Sequence, residues 1–429
     1  MTARRRVAIL LAATAPTLAC ATSDRADDRV NAALPLWMHH PSGAIQVIAR
    51  RQLAISGLTS GEDYERGRPA LDPEHGRVFV GTADHGLYAL RSSDGSSIWR
   101  FETLAPVQSE PLYDPVLDVV YFGSNDGALY AVHARDGALV FRFMTGAEVS
   151  RSPAISGDLL FVANGADQLF AIDRRTGKQR WNVHRGSALG MEVAGYAGPL
   201  ADRGKVYMAF SDGHVGAYDA TDGTERWTPV DLSAEAEQSA GGEAPRYLDV
   251  DTTPVVDELP TGRVVYVASY AGGVFALDAE TGARVWVNDK AVGVTELVLW
   301  TEPAHAPSPF GPYAGGPIVP ARKLLLATSS ISGLWALDLD PARAGQVKWR
   351  VSVPEGGITA PCALAGALLV GTTRYGLFAL SPLDGKAMDG LDLGTGGFAE
   401  TPAAFGDRAF TMSNAGTFLG VQVQPPIVR

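Results

Sequence analysis

Residues 274–286 read Val-Phe-Ala-Leu-Asp-Ala-Glu-Thr-Gly-Ala-Arg-Val-Trp, and this stretch decides the fold. An apolar strand signal runs into a turn that ends at Gly282, and a tryptophan stands four positions later. The turn glycine and the aromatic residue recur as Gly95 to Trp99, Gly137 to Phe141, Gly177 to Trp181, Gly223 to Trp227 and Gly345 to Trp349, whereas the seventh copy has Asp389. A periodic aromatic residue is more typical of a core than of a ligand site, so we interpret these rings as packing between neighbouring units.

A proline, in most copies preceded by a small residue, opens each unit or nearly so. The prolines are Pro69, Pro111, Pro153, Pro199, Pro254, Pro317, Pro361 and Pro402. Each unit continues with an apolar run, and a turn glycine follows at Gly86, Gly127, Gly213, Gly333, Gly376 and Gly416. A second strand then carries a small residue, which is alanine in seven copies and Gly420 in the eighth. A period of about 40 residues with strands and tight turns predicts an all-β, eight-bladed β-propeller with four-stranded antiparallel blades.

The ends of the chain predict how the ring closes. The last repeat stops at Val423 without an aromatic-bearing fourth strand, and the strand-like segment 44–55 belongs to no repeat. We therefore expect this segment to complete the last blade, which would remove an exposed sheet edge. The expected organisation is a signal peptide at 1–19, a tether at 20–43, the propeller at 44–423 and a short tail at 424–429.

The N-terminus predicts export. Arg4, Arg5 and Arg6 precede an apolar run from Val7 to Ala19, which is too short to span a bilayer. Residues 17–20, Thr-Leu-Ala-Cys, resemble a lipobox that makes Cys20 the lipidated first residue of the mature protein. Cleavage after a small-x-small sequence that discards Cys20 is the alternative, and it would give a soluble periplasmic or secreted protein.

Charge and cysteine content restrict the function. The net charge is −11, and it becomes −14 without residues 1–19, because three arginines and no acids lie there. An acidic surface argues against nucleic acid as a partner and leaves the lipid anchor as the only expected contact with a membrane. The chain has two cysteines, and once Cys20 is lipidated or removed no internal disulfide is possible. We interpret Cys362 as a small buried apolar residue.

Residues 276–286 resemble the repeat of the pyrroloquinoline-quinone-type propellers, which include quinoprotein dehydrogenases and non-enzymatic relatives. Residues 249–256, Asp-Val-Asp-Thr-Thr-Pro-Val-Val, resemble more specifically a signature of the BamB family of outer-membrane assembly lipoproteins. This resemblance implies a scaffold at the periplasmic face of the outer membrane, with a protein partner such as a BamA-like barrel assembly protein.

The same resemblance implies four partner-binding residues. The acidic positions of the signature fall on Asp249 and Asp251, and a second contact segment of the family falls on 191–195, where Met191 and Val193 keep the apolar positions. The family's arginine is replaced by Ala194, which cannot make a bidentate contact with a carboxylate. The alternative interpretation of the two aspartates is turn chemistry before a strand.

An enzyme is the less favoured hypothesis. The family of quinoprotein dehydrogenases stacks its quinone on a disulfide between adjacent cysteines, and this chain has no such pair. Its eight histidines show no metal-ligand spacing, and no nucleophile or phosphate-binding motif occurs. We therefore expect no cofactor, no metal and no catalytic residue. A third possibility is a propeller that binds a small ligand or an envelope component, through the central funnel or the Pro-rich loop Thr301 to Gly316. We place that loop between repeats five and six.

Overall fold

The computed structural model describes residues 43–54, 65–186, 197–233, 249–304, 318, 320–353, 355–392 and 396–424. Within these ranges the strands form eight separate sheets of four antiparallel strands, which makes the protein an eight-bladed β-propeller as the repeats predicted. Alternation of apolar phrases with tight turns every few residues produces the four strands of each blade.

The first half of the ring begins after β1 (Ile45–Gln52), which belongs to the last blade. Blade one consists of β2 (Ala70–Asp72), β3 (Arg77–Gly81), β4 (Gly86–Arg91) and β5 (Ser97–Glu102). Blade two consists of β6 (Leu112–Asp114), β7 (Val119–Gly123), β8 (Ala128–His133) and β9 (Leu139–Met144). Blade three consists of β10 (Ala154–Ser156), β11 (Leu159–Asn164), β12 (Gln168–Asp173) and β13 (Gln179–His184). Blade four consists of β14 (Leu200–Asp202), β15 (Lys205–Ala209), β16 (His214–Asp219) and β17 (Glu225–Asp231).

The second half of the ring repeats this arrangement. Blade five consists of β18 (Val255–Leu259), β19 (Gly262–Ser269), β20 (Gly273–Asp278) and β21 (Arg284–Asn288). Blade six consists of β22 (Val294–Glu302), β23 (Arg322–Ser329), β24 (Gly333–Asp338) and β25 (Val347–Val351). Blade seven consists of β26 (Cys362–Leu364), β27 (Ala367–Thr372), β28 (Gly376–Leu380) and β29 (Ala387–Leu391). Blade eight consists of β30 (Ala403–Phe405), β31 (Arg408–Met412), β32 (Thr417–Val423) and β1.

Strand β1 closes the ring, as expected from the incomplete last repeat. It pairs antiparallel with β32 over a register that runs from Ile45 opposite Val423 to Gln52 opposite Thr417. The two ends of the propeller are therefore held in one sheet. This pairing gives blade eight the outer strand that its own sequence lacks.

The aromatic residues pack between blades, which confirms their interpretation as core. Trp181 of blade three lies against the turn glycine of blade four, so a Cβ atom at Gly223 would lie 2.8 Å from the indole ring. The indole Nε1 also donates to the carbonyl oxygen of Ala220 in that turn at 3.1 Å. The same approach of ring to turn glycine recurs for Trp99 and Gly137, Phe141 and Gly177, Trp227 and Gly282, Trp286 and Gly345, and Trp349 and Gly385.

Four local expectations were wrong. The residue with positive φ in the second turn of blade one is His85, at 66°, and not Gly86, which begins β4. The loop assigned between repeats five and six lies inside blade six, because β22 is already the first strand of that blade and pairs with β23. Blade six lacks the opening proline, since Gly293 precedes β22. Cys362 is partly rather than fully buried, although it packs against the apolar cluster between blades seven and eight.

Candidate functional site

The segments that lead into the inner strands bring charged side chains together at one mouth of the central channel. Each segment enters its blade beside the propeller axis, so residues far apart in sequence become neighbours. The centre of this cluster is Arg68, which Pro69 separates from β2 and whose side chain is 11% exposed. Its Nε lies 2.7 Å from an oxygen of Glu400, and its Nη1 lies 3.5 Å from Glu110. Its Nη2 pairs with Glu296.

The cluster therefore links four blades through one guanidinium. Burial lowers the pKa of Arg68, but the charges of Glu400 and Glu110 and the hydrogen bond to Glu400 outweigh this effect and raise it overall. Arginine is suited to such a position because its planar group presents several donors while it stays charged. Arg68 thus acts as a fixed cation that holds three carboxylates at the axis.

A second arginine, Arg151, lies beside the first. Its Nη1 is 3.6 Å from the same Glu296 oxygen that pairs with Arg68. Burial, followed by the charge of Arg68, lowers the pKa of Arg151, while Glu110, Glu400 and Asp251 act in the opposite direction. Asp251 is therefore within electrostatic reach of Arg151 at the channel mouth.

These side chains surround a cavity of about 360 Å³. Its lining residues include Arg66, Gln108, Asn125, Glu148, Ser150 and Thr295 besides the charged cluster. The surface of the cavity is thus polar and carries both signs of charge. Such a site recognises charged groups by fixed ion pairs, and its acidic residues outnumber its arginines by five to three. Among the described residues, no group of three or more histidine, cysteine, aspartate or glutamate side chains could hold a metal ion.

The predicted binding residues fall into two groups. Asp251 lines the cavity, whereas Asp249 is only 5% exposed and its backbone carbonyl accepts a hydrogen bond from the Tyr270 N–H at 2.9 Å. Met191 and Val193 lie outside the described residues, as do Cys20 and residues 305–317 of the Pro-rich loop.

The described ends of the two lead-in segments nevertheless touch. The backbone N–H of Gly198, which precedes blade four, donates to Oγ1 of Thr253, which precedes blade five, at 2.9 Å. A Cβ atom at Gly198 would lie 2.8 Å from that hydroxyl oxygen and 3.1 Å from the Cβ of Arg151. The chain that follows 191–195 is therefore packed against the Asp-Val-Asp-Thr-Thr-Pro stretch.

Sequence reasoning missed the arginine and glutamate cluster. Arg68 and Glu110 each stand immediately before an opening proline, so a charged residue at a repeated lead-in position was an available signal. Glu296 had no such signal, because it lies near the start of β22 without a proline phrase.

Comparison with known proteins identifies the family. The family model described as outer membrane protein assembly factor BamB matches residues 116–341. The chain belongs to the BamB family. The BamB of Legionella pneumophila (strain Paris) is 26% identical over 212 residues, which cover 49% of this chain and 46% of that protein. The BamB of Yersinia pestis is 23% identical, and the match covers 62% of this chain and 59% of that protein.

Enzymes share the architecture. The tetrathionate hydrolase of Acidithiobacillus ferrooxidans is 24% identical over 360 residues, with 80% of this chain and 56% of that protein covered. The chain thus spans about half the length of the curated relatives it matches. Among solved structures, BamB from Moraxella catarrhalis superposes with a TM-score of 0.66 at 18% identity, over 88% of this chain and 99% of the other. A quinohemoprotein alcohol dehydrogenase from Pseudomonas putida HK5 gives 0.63 at 15% identity, over 91% and 78%. These two likenesses establish the propeller fold.

Proposed function

We propose that this BamB-family propeller is an exported, non-catalytic scaffold that binds a protein partner during outer-membrane protein assembly. The contact between Gly198 and Thr253 carries the proposal, because it joins the lead-in segments of blades four and five on one face. The family resemblance implies partner-binding positions in these two segments, at Met191, Val193, Asp249 and Asp251, and we propose that they bind the partner. A shared face is what a single protein interface requires.

The charge of this face supports a protein partner with cationic groups. Asp251 lies at the channel mouth, and Glu110 and Glu148 line the same cavity. The side chain of Glu110 is 35% exposed, so its charge reaches solvent. Acidic groups at a rim steer a basic partner toward the surface and fix its orientation more than they add affinity.

The state of the buried charges favours binding over acid–base catalysis. Glu400 and Glu296 are both held by the guanidinium of Arg68. A general base needs a lone pair that is free to accept a proton from substrate. Carboxylates engaged in this way serve as counterions that connect blades across the axis.

Tethering through Cys20 is the second part of the proposal. The apolar run and the Leu18-Ala19-Cys20-Ala21 junction support acylation at this thiol. Each buried CH₂ of an acyl chain adds about 0.8 kcal/mol of membrane affinity. Within the part of the chain that the structure describes, no helix is long and apolar enough to cross a membrane. Mass spectrometry of the mature N-terminus decides the matter, since a lipid-free N-terminus at Thr22 would contradict tethering.

Photo-crosslinking in intact cells tests the scaffold. A photoreactive amino acid at Asp251 should give a covalent adduct with an outer-membrane barrel assembly protein. The same group at Val285, on the outer strand of blade five, is the matched control and should give none. Equal adducts at both positions, or none at Asp251, would count against a partner on this face.

A small ligand in the central cavity is the second candidate. The match to tetrathionate hydrolase covers 80% of this chain, and the cavity of about 360 Å³ presents Arg66 beside the buried arginines. Titration calorimetry with tetrathionate separates the two functions. Heat of binding that disappears in Arg66→Ala would favour the ligand, whereas the scaffold predicts none.

A further inference from the structure

Five seams between blades share a hydrogen bond from an aromatic side chain to a turn carbonyl of the next blade. Trp99 Nε1 donates to the carbonyl oxygen of Ala134 at 3.0 Å. Equivalent bonds run from Trp181 to Ala220 at 3.1 Å and from Trp349 to Pro382 at 3.0 Å. In two other seams a tyrosine hydroxyl donates instead, from Tyr121 to Arg174 at 2.7 Å and from Tyr207 to Ala279 at 3.1 Å.

The seam between blades eight and one lacks both kinds of donor. In blade eight the aromatic position of the outer strand is occupied by Ala49, which pairs with Gly420 as Trp99 pairs with Ala89. The tyrosine position is occupied by Phe410, whose ring has no hydroxyl group. Neither of these two positions therefore offers an indole N–H or a phenol O–H to blade one.

The acceptor on the other side of this seam is still present. Ser92 is the counterpart of Ala134, because each donates its backbone N–H across the blade, Ser92 to Gly76 and Ala134 to Asp118, both at 2.8 Å. Among the described residues, no donor reaches the carbonyl oxygen of Ser92. The seam thus keeps the carbonyl that an aromatic donor uses elsewhere in the ring.

A cavity of about 270 Å³ opens beside this acceptor. Apolar side chains line it together with Ser92 and with two aspartates and two arginines; the apolar residues are Leu71, Val78, Phe405 and Phe410, and the charged ones are Asp72, Arg77, Asp407 and Arg408. Its volume is several times the roughly 30 Å³ that one water molecule occupies in the liquid. The ring of Phe418 covers the turn glycine of this seam, since a Cβ atom at Gly95 would lie 3.3 Å from it. This ring stacks on Phe410, which lines the cavity.

The cavity continues into a groove over the neighbouring blades. A second cavity of about 520 Å³ shares Leu71, Asp72, Pro73 and Phe405 with the first and extends to Tyr113 and Pro115 of blade two. Phe405 is 59% exposed at the junction of the two cavities, and Val116 is exposed beside Pro115. Exposed apolar side chains around a pocket that also carries polar and charged groups are typical of anchor sites in protein interfaces.

We propose that this seam pocket binds a tryptophan or tyrosine side chain from an extended segment of a partner protein. The ring would enter between Phe405 and Phe410, and its N–H or O–H would donate to the carbonyl oxygen of Ser92. The seams that hold their own donors show the chemistry that fits, and the groove across blades eight, one and two accommodates the flanking backbone. The inference deepens the proposed function by naming the partner's anchor, and it rests on that function.

Peptide binding to the purified full-length protein tests the pocket without any cellular partner. The probe is acetyl-Gly-Ser-Trp-Ser-Gly-amide, compared with peptides that carry tyrosine, phenylalanine or leucine at the central position. Methyl NMR should show shifts at Leu71 and Val78. The tryptophan peptide should bind about tenfold more tightly than the leucine peptide and about threefold more tightly than the phenylalanine peptide, which has no donor.

Variants provide the controls. Phe405→Ala should weaken the tryptophan peptide by about fivefold, whereas Leu383→Ala, which removes a comparable exposed side chain on blade seven, should leave it unchanged. Shifts away from Leu71 and Val78, equal affinity for all four peptides, or an unchanged Phe405→Ala would overturn the proposal. A tenfold gain in affinity in Trp37→Ala would also overturn it, because the chain's own tryptophan would then be the occupant. Peptide binding tests the seam pocket alone, and crosslinking at Asp251 tests the proposed function. Either proposal can therefore fail without the other.

Discussion

The carboxylate of Asp389 accepts a hydrogen bond from the backbone N–H of Ile45 at 2.8 Å, across 344 residues of sequence. Asp389 pairs with Ala379 in blade seven, where Trp349 pairs with Ala336 in blade six. The aromatic residue of a blade reaches a turn of the next blade, but blade eight has no such turn, because its outer strand comes from the N-terminus. Blade seven therefore has a hydrogen-bond acceptor, Asp389, in place of an aromatic ring, because blade eight presents the first residue of β1 at this point instead of a turn.

Loss of this acceptor should destabilise the ring closure. Asp389 is 1% exposed, so Asp389→Ala leaves the N–H of Ile45 in a buried place without that carboxylate. The expected cost is about 1–3 kcal/mol of unfolding free energy. Hydrogen exchange should also accelerate selectively in β1, since the hydrogen bond to Asp389 holds Ile45, the first residue of that strand. Chemical denaturation and exchange mass spectrometry measure the two effects.

The control for this prediction is Asp158→Ala in blade three. Its side chain is 76% exposed and makes only long ion pairs, so its unfolding free energy should stay within about 0.5 kcal/mol of the wild type. Asp389→Asn keeps an acceptor oxygen and should lie between the two. Unchanged exchange in β1 of Asp389→Ala would show that the strand pairing with β32 closes the ring unaided.

The fold could be predicted from the sequence because every blade repeats the same local phrases. Ring closure followed from one missing strand, and β1 supplies it. The hydrogen bond between Ile45 and Asp389 could not be predicted. An aspartate at an aromatic position is interpreted as a degenerate repeat until its distant partner is known. The cluster around Arg68 was hidden for a similar reason: Glu400 lies 332 residues away, and only the circular arrangement brings the two together.

Two glycines of blade four separate the cost of backbone conformation from the cost of contact with an indole ring. Gly204 and Gly223 have φ values of 78° and 76°, but a Cβ atom at Gly204 meets nothing within 4 Å, whereas one at Gly223 would lie 2.8 Å from Trp181. Gly204→Ala should cost about 1–2 kcal/mol from the left-handed backbone alone. Gly223→Ala should cost about 1–3 kcal/mol more, because the ring or the backbone must move.

Denaturation of both glycine variants under the same conditions measures the difference. The double variant Gly223→Ala with Trp181→Ala supplies the control, since it removes the ring that the new methyl group meets. In the double variant, the extra destabilisation that Gly223→Ala causes by meeting the ring should disappear. The free-energy costs of the two single substitutions should therefore not add. Equal destabilisation by Gly204→Ala and Gly223→Ala would mean that the Trp181 ring moves away from the new methyl group at no cost in unfolding free energy.

The thiol of Cys362 should react slowly in the folded protein. Burial raises the pKa of this thiol from 9.0 to about 12, and the thiolate is the reactive form. At pH 8 the thiolate fraction is therefore far smaller in the folded chain than in the unfolded chain, and it grows as pH rises toward 12. In Cys20→Ser, where Cys362 is the one remaining cysteine, iodoacetamide should label the native protein at least about a hundredfold more slowly than the unfolded protein. Comparable rates would contradict a desolvated thiol.

The apolar half of the predicted partner face should contribute more affinity than its acidic half. At position 194 an alanine replaces the arginine that the family resemblance implies, so a polar contact is lost and Val193 remains as an anchor. Asp251 lies at the rim of the cavity, where Arg151 also has Glu296 beside it. Asp251→Ala should cost about 0.2–1 kcal/mol of binding free energy, because the charge of this half-buried carboxylate is already partly balanced by Arg151. Val193→Asp places a charge in an apolar contact and should cost about 2–5 kcal/mol. The partner recovered by crosslinking at Asp251 is captured by each variant at matched folded concentration, which circular dichroism verifies. Capture by Val193→Asp equal to that of the wild type would exclude this face and direct the search to residues 301–316.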